Sequence, residues 1–257
     1  YNSVSFPILY FPFEDNVSGD NKGIVDASGN ENNGTTHFGA NGSGMNCTVP
    51  GVYGSGCQFD GVDDYIDGPV ASSINQTQEA WVKLSSIPTD GRITSRSSCG
   101  NGRLYIVNGK VKWEFGNSTT CQSVQSATTL QTGAWYHIAA TNNNGQLAIY
   151  INGVLDQTGN YTLTPITDSA ITIGSYNGIS SFFPGVMDEL RFYSYARTTS
   201  QIFADKENII AYWPFNEGAG SVAEDQTFYR NDGALVNAGW GTDIVLGSDI
   251  SLNGTNA

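Results

Sequence analysis

The sequence predicts an all-β, antiparallel two-sheet fold, and three observations carry that expectation. Short apolar stretches recur along the 257 residues with turn residues between them, the pattern of a sandwich or barrel. Gly, Asn, Ser and Thr are abundant, whereas Lys and Arg together number only 11. Such a composition favours turns and strands over helices. Helical periodicity is confined to a short stretch, Thr199 to Glu207.

The elements follow in order. Ile8 to Phe13 reads as a first strand. Gln58 to Gly61 and Asp64 to Ile66 read as strand with a turn inside. Gln78 to Leu84 places Ala80, Val82 and Leu84 on one face and Trp81 on the other, so both faces are expected to be covered. Arg103 to Val107 and Val111 to Phe115 flank Asn108-Gly109, a strong hairpin signal. Trp135 to Thr141 and Gln146 to Ile151 flank a second turn at Asn142 to Gly145, and Asn152-Gly153 makes a third. Ala170 to Gly174 and Val186 to Tyr193 complete the set.

Charge and cysteines narrow the function classes. The formal net charge is -13 and the isoelectric point about 4.3, so the basic footprint of a nucleic-acid binder is missing. No run of 18 apolar residues is present, so no membrane-spanning helix is expected. Cys47, Cys57, Cys99 and Cys121 lack the close pairing of zinc sites. The simplest of their three connectivities is Cys47–Cys57 with Cys99–Cys121, and disulfides imply an oxidising compartment. Acceptor sequons for N-glycosylation occur at Asn16, Asn33, Asn41, Asn46, Asn75, Asn117, Asn160 and Asn253. Together these features predict a secreted or cell-surface protein.

The chain also repeats itself at a domain-sized interval of roughly 200 residues. Tyr10-Phe11-Pro12-Phe13-Glu14 returns as Tyr212-Trp213-Pro214-Phe215-Asn216-Glu217. Asp26 to Gly34 returns more weakly as Asp225 to Gly233, and Phe59-Asp60-Gly61 is echoed by Leu252-Asn253-Gly254. Residues 1–207 therefore read as one unit, and 208–257 as the opening strands of an incomplete second β unit.

Read in order, these motifs resemble the laminin-G-like, concanavalin-A-like lectin/glucanase family. The resemblance rests on Tyr10 to Glu14, Asp26 to Asn30 with Asn33-Gly34, Phe59-Asp60-Gly61 with Asp64-Tyr65-Ile66, and Ala80-Trp81-Val82. It continues through Trp135 to Ala139, Leu147 to Gly153, and Phe183 to Tyr193. It covers about the first 200 residues and implies an antiparallel two-sheet jelly-roll sandwich. It leaves open whether a member binds sugar, binds protein or hydrolyses glucan. Trp81, Trp135 and Tyr150 fall in strand patterns and are expected to pack.

The residues argue against catalysis. A retaining glycosidase needs two carboxylates on one face, about 5 Å apart. Asp63-Asp64 and Asp188-Glu189 are adjacent pairs and are expected to face opposite ways along a strand. His37 and His137 lack an evident nucleophile partner, and His137 reads as structural. Metal binding is the stronger expectation. Asp26 to Gly34 sets oxygen-bearing side chains on a glycine-broken loop, though His37 stands where an EF-hand needs its bidentate glutamate. The family resemblance implies a structural Ca²⁺ at Asp188, with Asp26 and Asn30 as companions.

The reading is thus a non-enzymatic binding module for carbohydrate or a surface protein. Tyr53, Tyr176, Phe182 and Trp240 are candidate stacking aromatics. The alternative is a structural subunit of a stalk or filament that self-associates through 208–257. A glycoside hydrolase comes third.

Overall fold

The computed structural model describes residues 6–39, 44–70, 73–96, 101–117, 119–164, 170–207, 213, 215, 217–225, 232–236, 238–243 and 247–252. The chain forms two compact units, Ser5–Thr199 and a smaller one from Ser200 onward.

In the larger unit the strands are β1 (Leu9–Phe11), β2 (Gly23–Ile24), β3 (Gly34–His37), β4 (Asn46–Pro50), β5 (Ser55–Asp60) and β6 (Tyr65–Pro69). Then come β7 (Gln76–Leu84), β8 (Gly91–Ser95), β9 (Arg103–Val107), β10 (Lys110–Gly116) and β11 (Cys121–Gln125). β12 (Trp135–Asn143), β13 (Gln146–Ile151), β14 (Val154–Asn160), β15 (Ala170–Ile173) and β16 (Pro184–Tyr193) close the unit. Among the described residues they form two antiparallel sheets. Sheet I runs β14-β13-β12-β7-β16-β5-β4, with β1 also on β16, and sheet II runs β11-β10-β9-β8-β15-β6-β3-β2. This is the predicted two-sheet jelly-roll sandwich.

Local turn chemistry explains much of the order. Asn108-Gly109, Asn144-Gly145 and Asn152-Gly153 all have positive φ at both residues, as a tight hairpin following the strand twist requires. Alternation then sets the faces. Ala80, Val82 and Leu84 of β7 are all but fully buried in the core between the sheets, with Phe59, Ile106 and Ile138 in the same cluster. The fully buried tryptophan of that core is Trp113, which donates to the Thr141 carbonyl at 3.0 Å. Trp81 and Tyr150 are buried as expected, each 8% exposed, though they and Trp135 lie outside this core cluster. Trp81 meets the buried His137 edge-on at 5.4 Å on the other face of sheet I, and Trp135 is half-buried under the Lys83 ammonium.

One irregularity positions chemistry. β16 pairs with β5 through residues 184–187 and with β1 through 190–192. Between these stretches the register shifts against β7, and Glu189 has φ 55°. The two adjacent acids consequently serve different neighbours. Asp188 accepts from the Val52 and Tyr53 amides, and Glu189 accepts from the Tyr10 hydroxyl and the Arg191 guanidinium.

In the second unit α1 (Thr199–Lys206) begins at the junction. β17 (Val222–Ala223) pairs with β18 (Gly233–Ala234), and β19 (Ala238–Asp243) with β20 (Gly247–Leu252). The sequence repeat has geometric counterparts. Phe13 and Phe215 both take positive φ, at 61° and 55°. The Asp26 amide donates to the Asn33 side chain at 2.9 Å, and the Asp225 amide to the Asp232 side chain at 2.9 Å. Tyr212 and Asn253 lie outside the described residues.

Candidate ligand-binding face

Alternation along β8, β9 and β10 sends one set of side chains away from the core of sheet II. Register sets Lys112 opposite Tyr105, Glu114 opposite Arg103 and Arg92 opposite Tyr105. The Arg103 Nε donates to Glu114 at 3.0 Å, and the Tyr105 hydroxyl donates to the other Glu114 oxygen at 3.0 Å. The Arg92 guanidinium lies 3.9 Å from the Tyr105 ring centre and 5.5 Å from that of Tyr176, while Arg103 approaches Tyr176 at 5.6 Å. Such stacking is worth about 0.5–2 kcal/mol per pair. Burial, and then the Glu114 carboxylate, push the Tyr105 phenol well above its ordinary pKa, so it remains a donor. In a chain of net charge -13, three of the 11 Lys and Arg residues gather on this one surface.

Tyr176 arrives on the loop between β15 and β16. The loop is held by the Tyr176 amide donating to the Ser180 carbonyl at 2.7 Å and by the Ser181 hydroxyl donating to Asp90 at 3.0 Å. Gly178, at φ 70°, passes so close to the Tyr65 ring that a Cβ there would sit 2.6 Å from it. Ile179 at the tip is 74% exposed. On the other side of the loop a groove of about 560 Å³ is lined by Asn33, Thr35, Asp67, Thr172 and Asn177. Its wall is stiffened by the His37 ring stacked on Tyr65 at 4.6 Å, with the His37 Nε2 3.0 Å from Asp67. Hydroxyls, amides and one carboxylate beside an aromatic ring offer the donors and acceptors that fix a polyhydroxylated ligand. A second cavity, of about 680 Å³, lies at the β12–β14 edge of sheet I, lined among others by Thr141, Gln146, Tyr150, Thr158 and Arg197.

Of the aromatics singled out from sequence, Tyr176 is the one brought into this polar cluster. Tyr53 is half-buried with its amide on Asp188. Phe182 is half-buried beside the fully buried Phe183. Trp240 donates to the Gly220 carbonyl in the second unit. Arg92, Arg103 and Asn177 were missed. The only sequence signal for Arg92 and Arg103 is alternation about Tyr105, and Asn177 has none, because the loop that carries it lies some 70 residues downstream.

The metal candidates separate. Asp188 is fully buried, and its Oδ1 has no hydrogen-bond partner. Burial pushes its carboxyl up to about 7 against the Tyr53, Val52 and Glu189 amides, which oppose the shift. An oxygen so placed fits a hard cation. Asp26 does not. Its two oxygens accept from the Tyr10, Ser28 and Asn32 amides and the Ser28 hydroxyl, which is a turn-organising role. Asn30 turns its amide nitrogen toward the Pro7 carbonyl and the Ser28 hydroxyl. Among the described residues, the group of three acids whose ligand atoms converge is another one, Asp60, Asp63 and Asp64. Asp63 and Asp64 were expected to diverge along a strand. They lie instead in the β5–β6 turn, where alternation does not apply.

Cys47 and Cys57 are joined by a disulfide. Cys121 is also disulfide-bonded, and Cys99 lies outside the described residues. Among the sequons, Asn16, Asn33 and Asn160 are exposed, while Asn46, Asn75 and Asn117 are half-buried and hydrogen-bonded. Asn41 lies outside the described residues.

Comparison with known proteins places this architecture. A domain of AbnA, an extracellular arabinanase of Geobacillus stearothermophilus, solved with arabinotriose, superposes with a TM-score of 0.64 at 25% identity, over 79% of this chain and 98% of that one. The receptor-binding domain of botulinum neurotoxin mosaic serotype C/D gives 0.62 at 18% identity, over 83% of this chain and 53% of that one. That of botulinum neurotoxin type G gives 0.63 at 12% identity, over 97% and 66%. The chain thus spans about half to two thirds of those toxin domains and shares their fold. No curated protein matches. The laminin-G family model described as the concanavalin A-like lectin/glucanases superfamily matches residues 60–203, more than half of the chain. The chain therefore belongs to the concanavalin A-like lectin/glucanase superfamily.

Proposed function

We propose that the chain is a non-catalytic binding module of an exported or cell-surface protein, and that it takes carbohydrate on the outer face of sheet II. The observation that carries this reading is the polar groove of Thr35, Asp67, Thr172 and Asn177 beside the loop on which Tyr176 meets two arginines. The likeness to a domain solved with arabinotriose supports a sugar ligand. The Cys47–Cys57 disulfide supports export. A Ca²⁺ at Asp188 belongs to the same proposal. Asp188 Oδ1 would hold it, and Asp26 and Asn30 would not.

A glycan array on the full chain tests the reading. Tyr176→Ala and Asn177→Ala should each lower binding of the selected glycan at least tenfold. Unchanged binding in both, with loss on Tyr150→Ala, would move the site to the sheet I cavity.

A second reading is favoured by one feature. The repeated hairpin geometry from Val222 onward supports a partial second repeat, whose strands join units end to end by strand addition. Deleting residues 208–257 should leave the larger unit folded and abolish end-to-end association. Assembly that survives the deletion sinks this reading.

A further inference from the structure

We propose that Asp60, Asp63 and Asp64 in the β5–β6 turn form a calcium site that pins sheet I to sheet II. Asp60 ends β5 in sheet I, and Tyr65 begins β6 in sheet II, so the turn is a corner between the sheets. One ligand atom from each acid lies within 4.8 Å of the others. Asp64 is 1% exposed. Its Oδ2 accepts from the Asp60 amide at 2.9 Å, and its Oδ1 is buried without a partner. Asp60 repeats the arrangement. Its Oδ1 accepts from the Val62 and Asp63 amides, and its Oδ2 is inaccessible and unbonded.

Two carboxylate oxygens from two residues are therefore held out of water with no donor. Leaving such groups unsatisfied costs about 1–3 kcal/mol each, and mutual repulsion adds to it. Burial and then the neighbouring acids push Asp64 up to about 6, against a backbone hydrogen bond that opposes the shift. Neither Asp60 nor Asp64 has an ion-pair partner among the described residues. A divalent cation would answer both the missing donors and the repulsion.

Ligand chemistry favours calcium. Ca²⁺ accepts irregular sets of carboxylate oxygens at about 2.3–2.6 Å, whereas Mg²⁺ demands a near-ideal octahedron at about 2.1 Å and gives up its waters reluctantly. Gly39, just beyond β3, closes one side, since a Cβ at that position would collide with the Asp63 carboxylate. Three strands thus meet at the site, and β6 also carries Asp67 into the groove. The site is separate from Asp188, which lies in β16.

The test uses the full chain freed of metal and then given CaCl₂ alone, read by titration calorimetry and by melting temperature. Asp188→Asn removes the other candidate. In that background Ca²⁺ should still bind and still raise the melting temperature by several degrees. Adding Asp64→Asn should weaken Ca²⁺ at least tenfold. Asp63→Asn, at a half-buried position that tolerates the change, should weaken it severalfold and decides the matter if the Asp64 variant fails to fold. Ca²⁺ heat that vanishes in Asp188→Asn overturns the proposal, as does binding unchanged in both the Asp63 and Asp64 variants. Equal stabilisation by MgCl₂ overturns the assignment to calcium.

Discussion

The strand pairs β2–β3 and β17–β18 share a pairing pattern in two settings. Ile24 pairs with Gly34 next to the Asp26–Asn33 bond, and Ala223 pairs with Gly233 next to the Asp225–Asp232 bond. The approach is alike as well. The Val25 amide donates to Asp15 at 3.0 Å, and the Glu224 amide to Glu217 at 2.7 Å. What differs is the next neighbour. β3 goes on to pair with β6 through Thr35, Thr36 and His37, so the first hairpin becomes the edge of sheet II. β17 and β18 form a two-stranded sheet among the described residues. Burial follows the neighbour. Phe13 is fully buried, whereas Phe215, in the same left-handed conformation, is 37% exposed. Side-chain-to-backbone hydrogen bonds within a dozen residues suffice for the hairpin. Covering it takes strands from far along the chain.

The aromatic pair gives the sharpest way to break this comparison. Phe13→Ala should destabilise the larger unit by about 3–5 kcal/mol, the usual cost of emptying a core site. Phe215→Ala should change stability by less than about 1 kcal/mol. Urea unfolding followed by tryptophan fluorescence would read both, and equal effects would show that the second hairpin is covered as well as the first.

Next comes the organising acid. Asp26→Ala strands the Tyr10, Ser28 and Asn32 amides and should cost about 2–4 kcal/mol. Asp225→Ala should leave the melting of the larger unit unchanged. The disulfide sharpens the contrast further, because all four cysteines precede Ser200. Reducing Cys47–Cys57, which closes a loop of 10 residues, should lower the stability of the larger unit by about 2–3 kcal/mol. Amide exchange in the second hairpin should not respond.

The smallest effect is alkaline. Tyr10, which leads into the first hairpin, has its phenol pushed well above the ordinary value by burial, while Arg191 opposes and Glu189 adds to the shift. Above about pH 10 the unfolded chain loses this proton and the folded chain keeps it. Fewer protons on the unfolded state mean that stability falls as pH rises. Tyr10→Phe should flatten that fall between about pH 10 and 11.5, measured as the urea midpoint. An identical slope would show that Tyr10 ionises freely in the fold.

The antiparallel two-sheet class, the Asn-Gly hairpins and the centres of β7, β9, β10, β12, β13 and β16 were legible in the sequence. Each rests on a contact between residues close in the chain or on a period of two, and such signals survive without knowledge of the partner. Tertiary structure alone decided which tryptophan fills the core, because Trp81 and Trp113 both sit in alternating strands and only the packing of the sheets chooses between them. It also decided that Asp26 organises a turn while Asp188 keeps a bare oxygen. Only it drew Asp60, Asp63 and Asp64 together at a corner, and set Arg92 and Arg103 against the Tyr176 ring. A one-dimensional pattern carries the direction of a side chain relative to its own strand. What that side chain meets depends on sheet order, bulges and loops, and these come from strand pairings tens to more than a hundred residues apart.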